Sequence, residues 1–350
     1  MTVYTYGLCM SAGILFSALL TYALAYKRKL QSYVPGCVFA ALAFGIVFAR
    51  LGWCFTKYTQ YLMDDPASIL YVHDGGLSMV AGLIGAYAGV LIYAKLSKLR
   101  STVLCDLLTP GALALIAILR AAETFTGQGI GREVILEKLW HTVLTVEDSW
   151  DISRFAVFRY EAWLAILLWA AAVIMWFTSR RPGSVCVRCM CTFAAFQMVF
   201  ENLRDDDYLY VYYVRIGEAL AVCILLGVLI YSLIGGFKRH VPRSVIALVM
   251  FAAGIAIVVK QGFAVDGLIH LELDFAIMTL GALMCLAAVL TAYSTCESAA
   301  VGVIEHGKSR VIISCVLLML LVIAVPLFIS SGGNAASLTE KGRIILSFHK

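Results

Sequence analysis

The chain has 350 residues, 62% hydrophobic and only 14% charged, with a formal net charge of +5. A water-soluble domain of that composition would have too little polar surface to cover itself, so a soluble globular protein is excluded. The positive excess sits in loops between apolar stretches, where it reports topology and gives no support to nucleic-acid binding.

Apolar stretches near or above the roughly 20 residues that cross a bilayer follow one another along the sequence. In chain order they cover residues 4–26, 34–55, 77–96, 101–121, 160–177, 185–203, 214–236, 244–260, 274–294 and 311–330. The sequence therefore predicts an all-α polytopic membrane protein with about ten transmembrane helices. Basic residues fall in alternate connections: Lys27, Arg28 and Lys29; Lys95, Lys98 and Arg100; Arg180 and Arg181; Lys238, Arg239 and Arg243; Lys308 and Arg310. The intervening loops are acidic or mixed, as at Asp64–Asp65 and Asp205–Asp207. The positive-inside rule then predicts a multi-pass plasma-membrane protein with its N-terminus outside. The first span has no basic segment before it and no small-residue cleavage site after it, and is expected to be retained as a helix.

The basic, proline-containing stretch 237–243 follows the seventh span. Before it, ionisable residues recur within the spans; after it, Lys260 and Asp274 lie at span ends, where side chains snorkel. Residues 1–236 are thus expected to form the functional seven-helix unit, and residues 237–350 a C-terminal membrane extension of about three helices. The long connections of the first unit, 56–76 and 122–159, both fall outside, so a substrate is expected on that side. Cysteines are scattered through the apolar spans, where thiols behave as small hydrophobes. The one cluster, Cys186, Cys189 and Cys191, has no His or acidic neighbour to complete a tetrahedral site, so neither metal nor cofactor is expected.

An arginine deep in a bilayer costs at least about 2.5 kcal/mol and tends to mark a pathway or a site. Arg50 and Arg120 lie near the outer ends of their spans, where snorkelling is the competing explanation. Glu123 follows Arg120 by one helical turn and can pair with it. Glu201 and Arg204 repeat that spacing, which by itself suggests a local ion pair at a helix end. Together with Arg132 these arginines gather at one depth, and guanidinium forks suit a phosphate there, most simply a phospholipid headgroup. Gly127, Gly129 and Gly131 would let backbone N–H groups approach the same anion, although glycine runs are also ordinary turns. Gly82, Gly85 and Gly89 recur at helical spacing and predict close helix packing.

In order along the chain, these residues resemble the bacterial prolipoprotein diacylglyceryl transferase family. The likeness runs through Tyr6-Gly7-Leu8, Ala49 to Trp53, and Asp74-Gly75-Gly76-Leu77-Ser78 leading into Gly82 and Gly85. It continues through Asp106 and Pro110, then Arg120 with Gly127, Gly131 and Arg132, which follow the family's GRxGNFxNGExxGR pattern. Tyr160-Glu161-Ala162, Glu201 with Arg204 and Asp205, and Gly217-Glu218 complete it. The resemblance implies transfer of the diacylglyceryl group of phosphatidylglycerol to the lipobox cysteine thiol of a prolipoprotein, with glycerol phosphate as leaving group. The partners implied are phosphatidylglycerol, a prolipoprotein signal peptide and membrane lipids.

Such chemistry needs cations for the leaving phosphate and a base for the thiol. The chain departs from the family pattern where the base is expected: Val80 stands at the histidine, and Gln197 at the arginine four residues before Glu201. Glu123 and Thr126 stand at two asparagines, Gln128 at a glutamate, and Phe155 to Phe158 at the HPxQ residues. The expected catalytic residues are therefore His73, as replacement base, with Arg120 and Glu201. Tyr6, Arg50, Gln128, Gly131, Arg132, Tyr160 and Arg204 are expected to bind substrate. The alternative is a catalytically impaired relative that binds phospholipid as a membrane binding or partner protein. A third reading, a small-solute transporter, has the right helix count but lacks the polar pair of half-helices at midplane in both halves that many transporter folds show.

Overall fold

The computed structural model describes residues 2–56, 66–70, 76–134, 141–147, 150–179, 181–205, 210–211, 214–236, 241–264 and 271–299. The predicted tenth span, 311–330, and His73 lie outside the described residues. Those described form the helices α1 (Thr2–Tyr26), α2 (Val34–Thr56), α3 (Met79–Leu96), α4 (Ser101–Ala122), α5 (Val157–Thr178), α6 (Ser184–Leu203), α7 (Ile216–Gly236), α8 (Val241–Ala264) and α9 (Leu271–Ala299). Each contains a stretch long and apolar enough to cross a membrane, as the sequence predicts. Two short antiparallel ladders interrupt them: β1 (Thr145–Glu147) with β2 (Ser153–Phe155), and β3 (Tyr210–Val211) with β4 (Val214–Arg215).

Without a hydrophobic drive between helices in lipid, close backbone approach at small residues has to supply the contact. The α3 glycines do this against α2, as their spacing predicts. A Cβ on Gly85 would stand 2.5 Å from the Phe44 carbonyl oxygen, and one on Gly82 3.2 Å from the Ala49 side chain. The pair α8 and α9 uses the same device, since a Cβ on Gly281 would stand 2.9 Å from the Gly254 carbonyl oxygen. These last two helices share an apolar core with α6 and α7, in which Met198, Leu225 and Leu229 meet Phe251, Met278 and Val289.

Successive spans alternate in direction, so the ends of α2, α4 and α6 gather with the starts of α1, α3, α5 and α7 at one end of the bundle. The opposite end is tied by charge. Arg28, just after α1, donates Nη2 to the carbonyls of Trp176 (2.7 Å) and Ser179 (3.1 Å), completing the C-terminal turn of α5. Its guanidinium also lies 3.8 Å from the Trp176 ring centroid, and the Trp176 indole donates to the Leu24 carbonyl at 3.2 Å. Asp106 of α4 is buried and accepts from the backbone N–H groups of Gly183 (2.6 Å) and Cys186 (2.8 Å). A carboxylate from a neighbouring helix thus satisfies the start of α6, whose own N-cap, Gly183 at φ 91°, has no side chain for the task. Asp106→Ala should lower the thermal unfolding midpoint of the detergent-solubilised protein, with a loss of about 1–2 kcal/mol as for other lost caps, and Asp106→Asn should lose less.

Candidate functional site

At the other end, α4, α5 and α6 bring carboxylates and guanidinium groups into one buried cluster. Glu161, in the first turns of α5, is fully buried and stands at its centre. Arg120, in the last turn of α4, pairs through Nη1 with Glu123 and through Nε with Glu161, the latter out of line for a hydrogen bond. Arg204 is the residue at which α6 ends; its backbone turns extended, at φ −74° and ψ 145°, and this re-aims the side chain. Its Nη1 lies 3.4 Å from Glu161 Oε1, and its Nη2 3.9 Å from Glu123 Oε2. Two arginines and two glutamates therefore form a closed ring, each arginine meeting both carboxylates.

A second, smaller group continues the ring along α6. Gln197 and Glu201 lie four residues apart on one helix face, and Gln197 Nε2 donates to Glu161 Oε1 and to Glu201 Oε1, each at 3.1 Å. Arg215, at the end of β4, donates Nε to Glu201 Oε2 at 3.2 Å and Nη1 to the Arg204 carbonyl at 2.9 Å. Gly217 is where the backbone makes room, because a Cβ there would collide with the Glu201 carboxylate. Glu218 is buried one residue further on.

The glycine-bearing segment lies over this cluster as a backbone strap. Gly131 N–H donates to the Phe155 carbonyl (2.7 Å) and Phe155 N–H returns to that of Arg132 (3.0 Å). On its other side Arg132 N–H donates to the Leu203 carbonyl (2.9 Å) and Asp205 N–H to that of Ile130 (3.2 Å). Gly129 needs to be glycine twice over. Its φ is +71°, and a Cβ would stand 2.5 Å from Glu123 Oε2 and 3.4 Å from Arg204 Nη2. Arg154 and Asp205, 2.6 Å apart, close the strap at its outer edge.

The expected site residues divide among these features. Arg120, Arg204 and Glu201 meet in the cluster; half-buried Tyr6 of α1 lies within electrostatic reach of Glu123 and Arg120. Gly131 and Arg132 belong to the strap, Gly131 buried and Arg132 half-buried, while Gln128 is exposed at its turn. Arg50 is engaged elsewhere in the fold: it is buried, and donates Nε to the Ile69 carbonyl (3.0 Å) and Nη1 to that of Gly76 (3.2 Å), holding the chain that leads into α3. Tyr160 donates its hydroxyl to the Leu144 carbonyl at 2.6 Å, and its ring lines a groove of about 450 Å³ with Trp163, Phe196, Phe200 and Phe275. Arg120 pairs with Glu123 as the spacing predicts, whereas Arg204 reaches across to Glu161 and Glu123, and Glu201 is met by Arg215.

The profile of the prolipoprotein diacylglyceryl transferase family matches residues 1–234, which contain every side chain of the cluster. The chain belongs to the prolipoprotein diacylglyceryl transferase family. Curated relatives called phosphatidylglycerol–prolipoprotein diacylglyceryl transferase are 28% identical over 238 residues in Clostridium novyi, covering 64% of this chain and 89% of the relative. The one from Teredinibacter turnerae is 28% identical over 219 residues, covering 59% and 72%. That from Shouchella clausii is 24% identical over 241 residues, covering 65% and 82%. Helices α8 and α9 lie beyond the family match.

Glu161 and Arg215 carry the cluster as much as the residues expected from sequence. Removing one member of a buried ion pair leaves a charge without compensation, at about 3–5 kcal/mol. Glu161→Ala should therefore be the most destabilising single change at this end, with Glu161→Gln milder. A double-mutant cycle with Arg204→Ala, read by thermal unfolding, should show coupling of about 1 kcal/mol or more.

Proposed function

We propose that the chain transfers the diacylglyceryl group of phosphatidylglycerol to the lipobox cysteine thiol of a prolipoprotein at the outer leaflet of the plasma membrane. The observation that carries this reading is the convergence of Arg120 and Arg204 on the shared carboxylates of Glu123 and Glu161, beneath the glycine strap. In the reaction the thiol sulfur attacks the glycerol carbon that bears the phosphate ester. A carbon–sulfur bond forms, the carbon–oxygen bond breaks, and glycerol phosphate departs with the electron pair. Guanidinium forks at Arg120 and Arg204 are suited to the charge that builds on the departing phosphate, and the low dielectric of the bundle strengthens that effect. The thiol proton goes to a base, for which His73 is the candidate by its near-neutral titration range. Glu201 and Glu123 are less suited, being engaged by arginines.

Residues 1–236 are assigned as the transferase unit and 237–350 as a membrane extension that buttresses it through the core shared by α6 to α9. The N-terminus and the strap are assigned to the outside of the cell and Arg239 to the inside, because basic loops are retained in the cytoplasm. Single cysteines in a background without the native ones test the orientation: one beside Arg239 should resist a membrane-impermeant thiol reagent in intact cells, and labelling there would reverse it.

One observation favours a second reading, a phospholipid-binding relative without chemistry. Val80, at the place of the family histidine, is buried in α3 and cannot take a proton. Complementation of a strain depleted of its own transferase separates the two, with lipoprotein processing read by gel shift. Restored processing that is lost in Arg120→Lys and His73→Ala supports transfer. Phosphatidylglycerol binding by a wild type that processes no lipobox substrate supports the binding protein.

A further inference from the structure

We propose that Glu123 is a specificity-determining residue: its carboxylate holds the seat between Arg120 and Arg204 that a ligand's phosphate must take. The inference rests on the reading above, that these two arginines receive a phosphate, and it names the group that opposes and selects the ligand.

Each guanidinium already faces two carboxylates, so a phosphate cannot engage both arginines unless one carboxylate withdraws. Glu161 is anchored. It is fully buried within a long helix, meets both arginines, and also accepts from Gln197 Nε2 at 3.1 Å. Glu123 is held more loosely. It sits where α4 gives way to the short 3-10 turn Glu123–Phe125, and its Oε2 lies 3.9 Å from Arg204 Nη2, whereas Glu161 Oε2, also without a hydrogen bond, is in close ionic contact with Arg120 Nε. Only its Oε1 is firmly paired, with Arg120.

The surroundings give that side chain somewhere to go. Its backbone is fixed, because the Glu123 carbonyl accepts from Thr126 N–H (3.0 Å) and Gly127 N–H (3.1 Å). The side chain can therefore rotate without unwinding the turn. Gly127 and Gln128, one turn further along, are exposed, and Gly129 presents bare backbone to Oε2. Exchange of one carboxylate for one phosphodiester leaves the net charge between the arginines unchanged, which matters where uncompensated charge is costly. An internal competitor lowers the fraction of binding-competent sites and raises the apparent dissociation constant by the same factor. A ligand carboxylate offers Arg120 and Arg204 no more than Glu123 does, whereas a phosphodiester sets two anionic and two ester oxygens tetrahedrally about phosphorus and can face two guanidinium forks from different directions. The seat thus selects phosphate-bearing headgroups over carboxylates and over uncharged glycerolipids.

The test uses the full chain in detergent, titrated with short-chain phosphatidylglycerol, with short-chain diacylglycerol as the uncharged control and inorganic phosphate as competitor. Glu123→Gln keeps the size of the side chain and a hydrogen-bonding group for Arg120, which Glu161 still compensates. It should tighten phosphatidylglycerol binding by about ten-fold, within the span of typical coupling between states, and leave diacylglycerol unaffected. Arg120→Ala should remove the binding in both backgrounds. Competition by inorganic phosphate would show that the seat reads the phosphate alone, and its failure would assign recognition to the whole lipid; both fit the proposal. If Glu123→Gln does not fold, Glu123→Asn removes the same charge and should give the same tightening. Unchanged or weaker binding in the folded variant, with wild-type binding still dependent on Arg120, overturns the role of Glu123 and spares the phosphate site. Wild-type binding that ignores Arg120→Ala overturns both.

Discussion

Glu161 is a fully buried carboxylate in a helix that spans the bilayer, and that burial constrains everything around it. A lone carboxylate there would cost several kcal/mol even after relaxation. Two cations and an amide donor have to be brought to it, and each comes from a different part of the chain. Arg120 arrives from the last turn of α4, Gln197 from the inner face of α6, and Arg204 from the residue at which α6 stops. The three helices are consequently fixed in depth as well as in rotation, because a shift of one turn along any axis would separate a pair.

The rest of the fold can be understood as what keeps these depths constant. At the far end, Asp106 ties the start of α6 to α4, and Arg28 ties the end of α5 to the loop after α1. At the near end, the strap is hydrogen-bonded to the end of α6 on one side and to the approach to α5 on the other. Between them, close packing supplies most of the contact but offers no partner to a buried charge. Polar bonds at both ends of the same helices supply what the apolar middle does not. Helices α8 and α9 add apolar surface against α6 and α7, leaving the ionic cluster on the opposite side of α6.

The helices were legible in the sequence because each is a long apolar run, whereas a closed barrel, the other way to satisfy backbone in a bilayer, is written as short alternating strands. Gly82, Gly85 and Gly89 were legible as packing positions for a similar reason: period and size alone identify them. The cluster was legible only in part. Arg120 with Glu123 is a contact within one turn, so spacing finds it. Arg204 with Glu161 spans 43 positions, and no local pattern records which helix will face which. Glu201 and Arg204 show how spacing misleads at a boundary. On a continuous helix they would be neighbours, but the extended backbone at Arg204 sends the guanidinium elsewhere. Arg215 was hidden at the edge of an apolar span, where it reads as an ordinary interfacial residue.

Electroneutrality also makes sense of the departures from the family pattern, which look unrelated when taken singly. With Gln197 in place of an arginine, Glu201 would face only an amide from its own helix. Arg215 lies against that carboxylate, so a cation reaches it from β4. Near the strap, the pattern's glutamate has become Gln128, which is exposed, while an asparagine has become Glu123, which is buried against Arg120. Where the pattern has a carboxylate at the turn, this chain has one in the ring. In water such exchanges would be independent and nearly free. Inside a membrane bundle each uncompensated charge is expensive enough that one substitution constrains the next. In this chain Glu123, Glu161 and Glu201 are each met by an arginine, so the loss or gain of a charge at any one of these positions has to be answered at another.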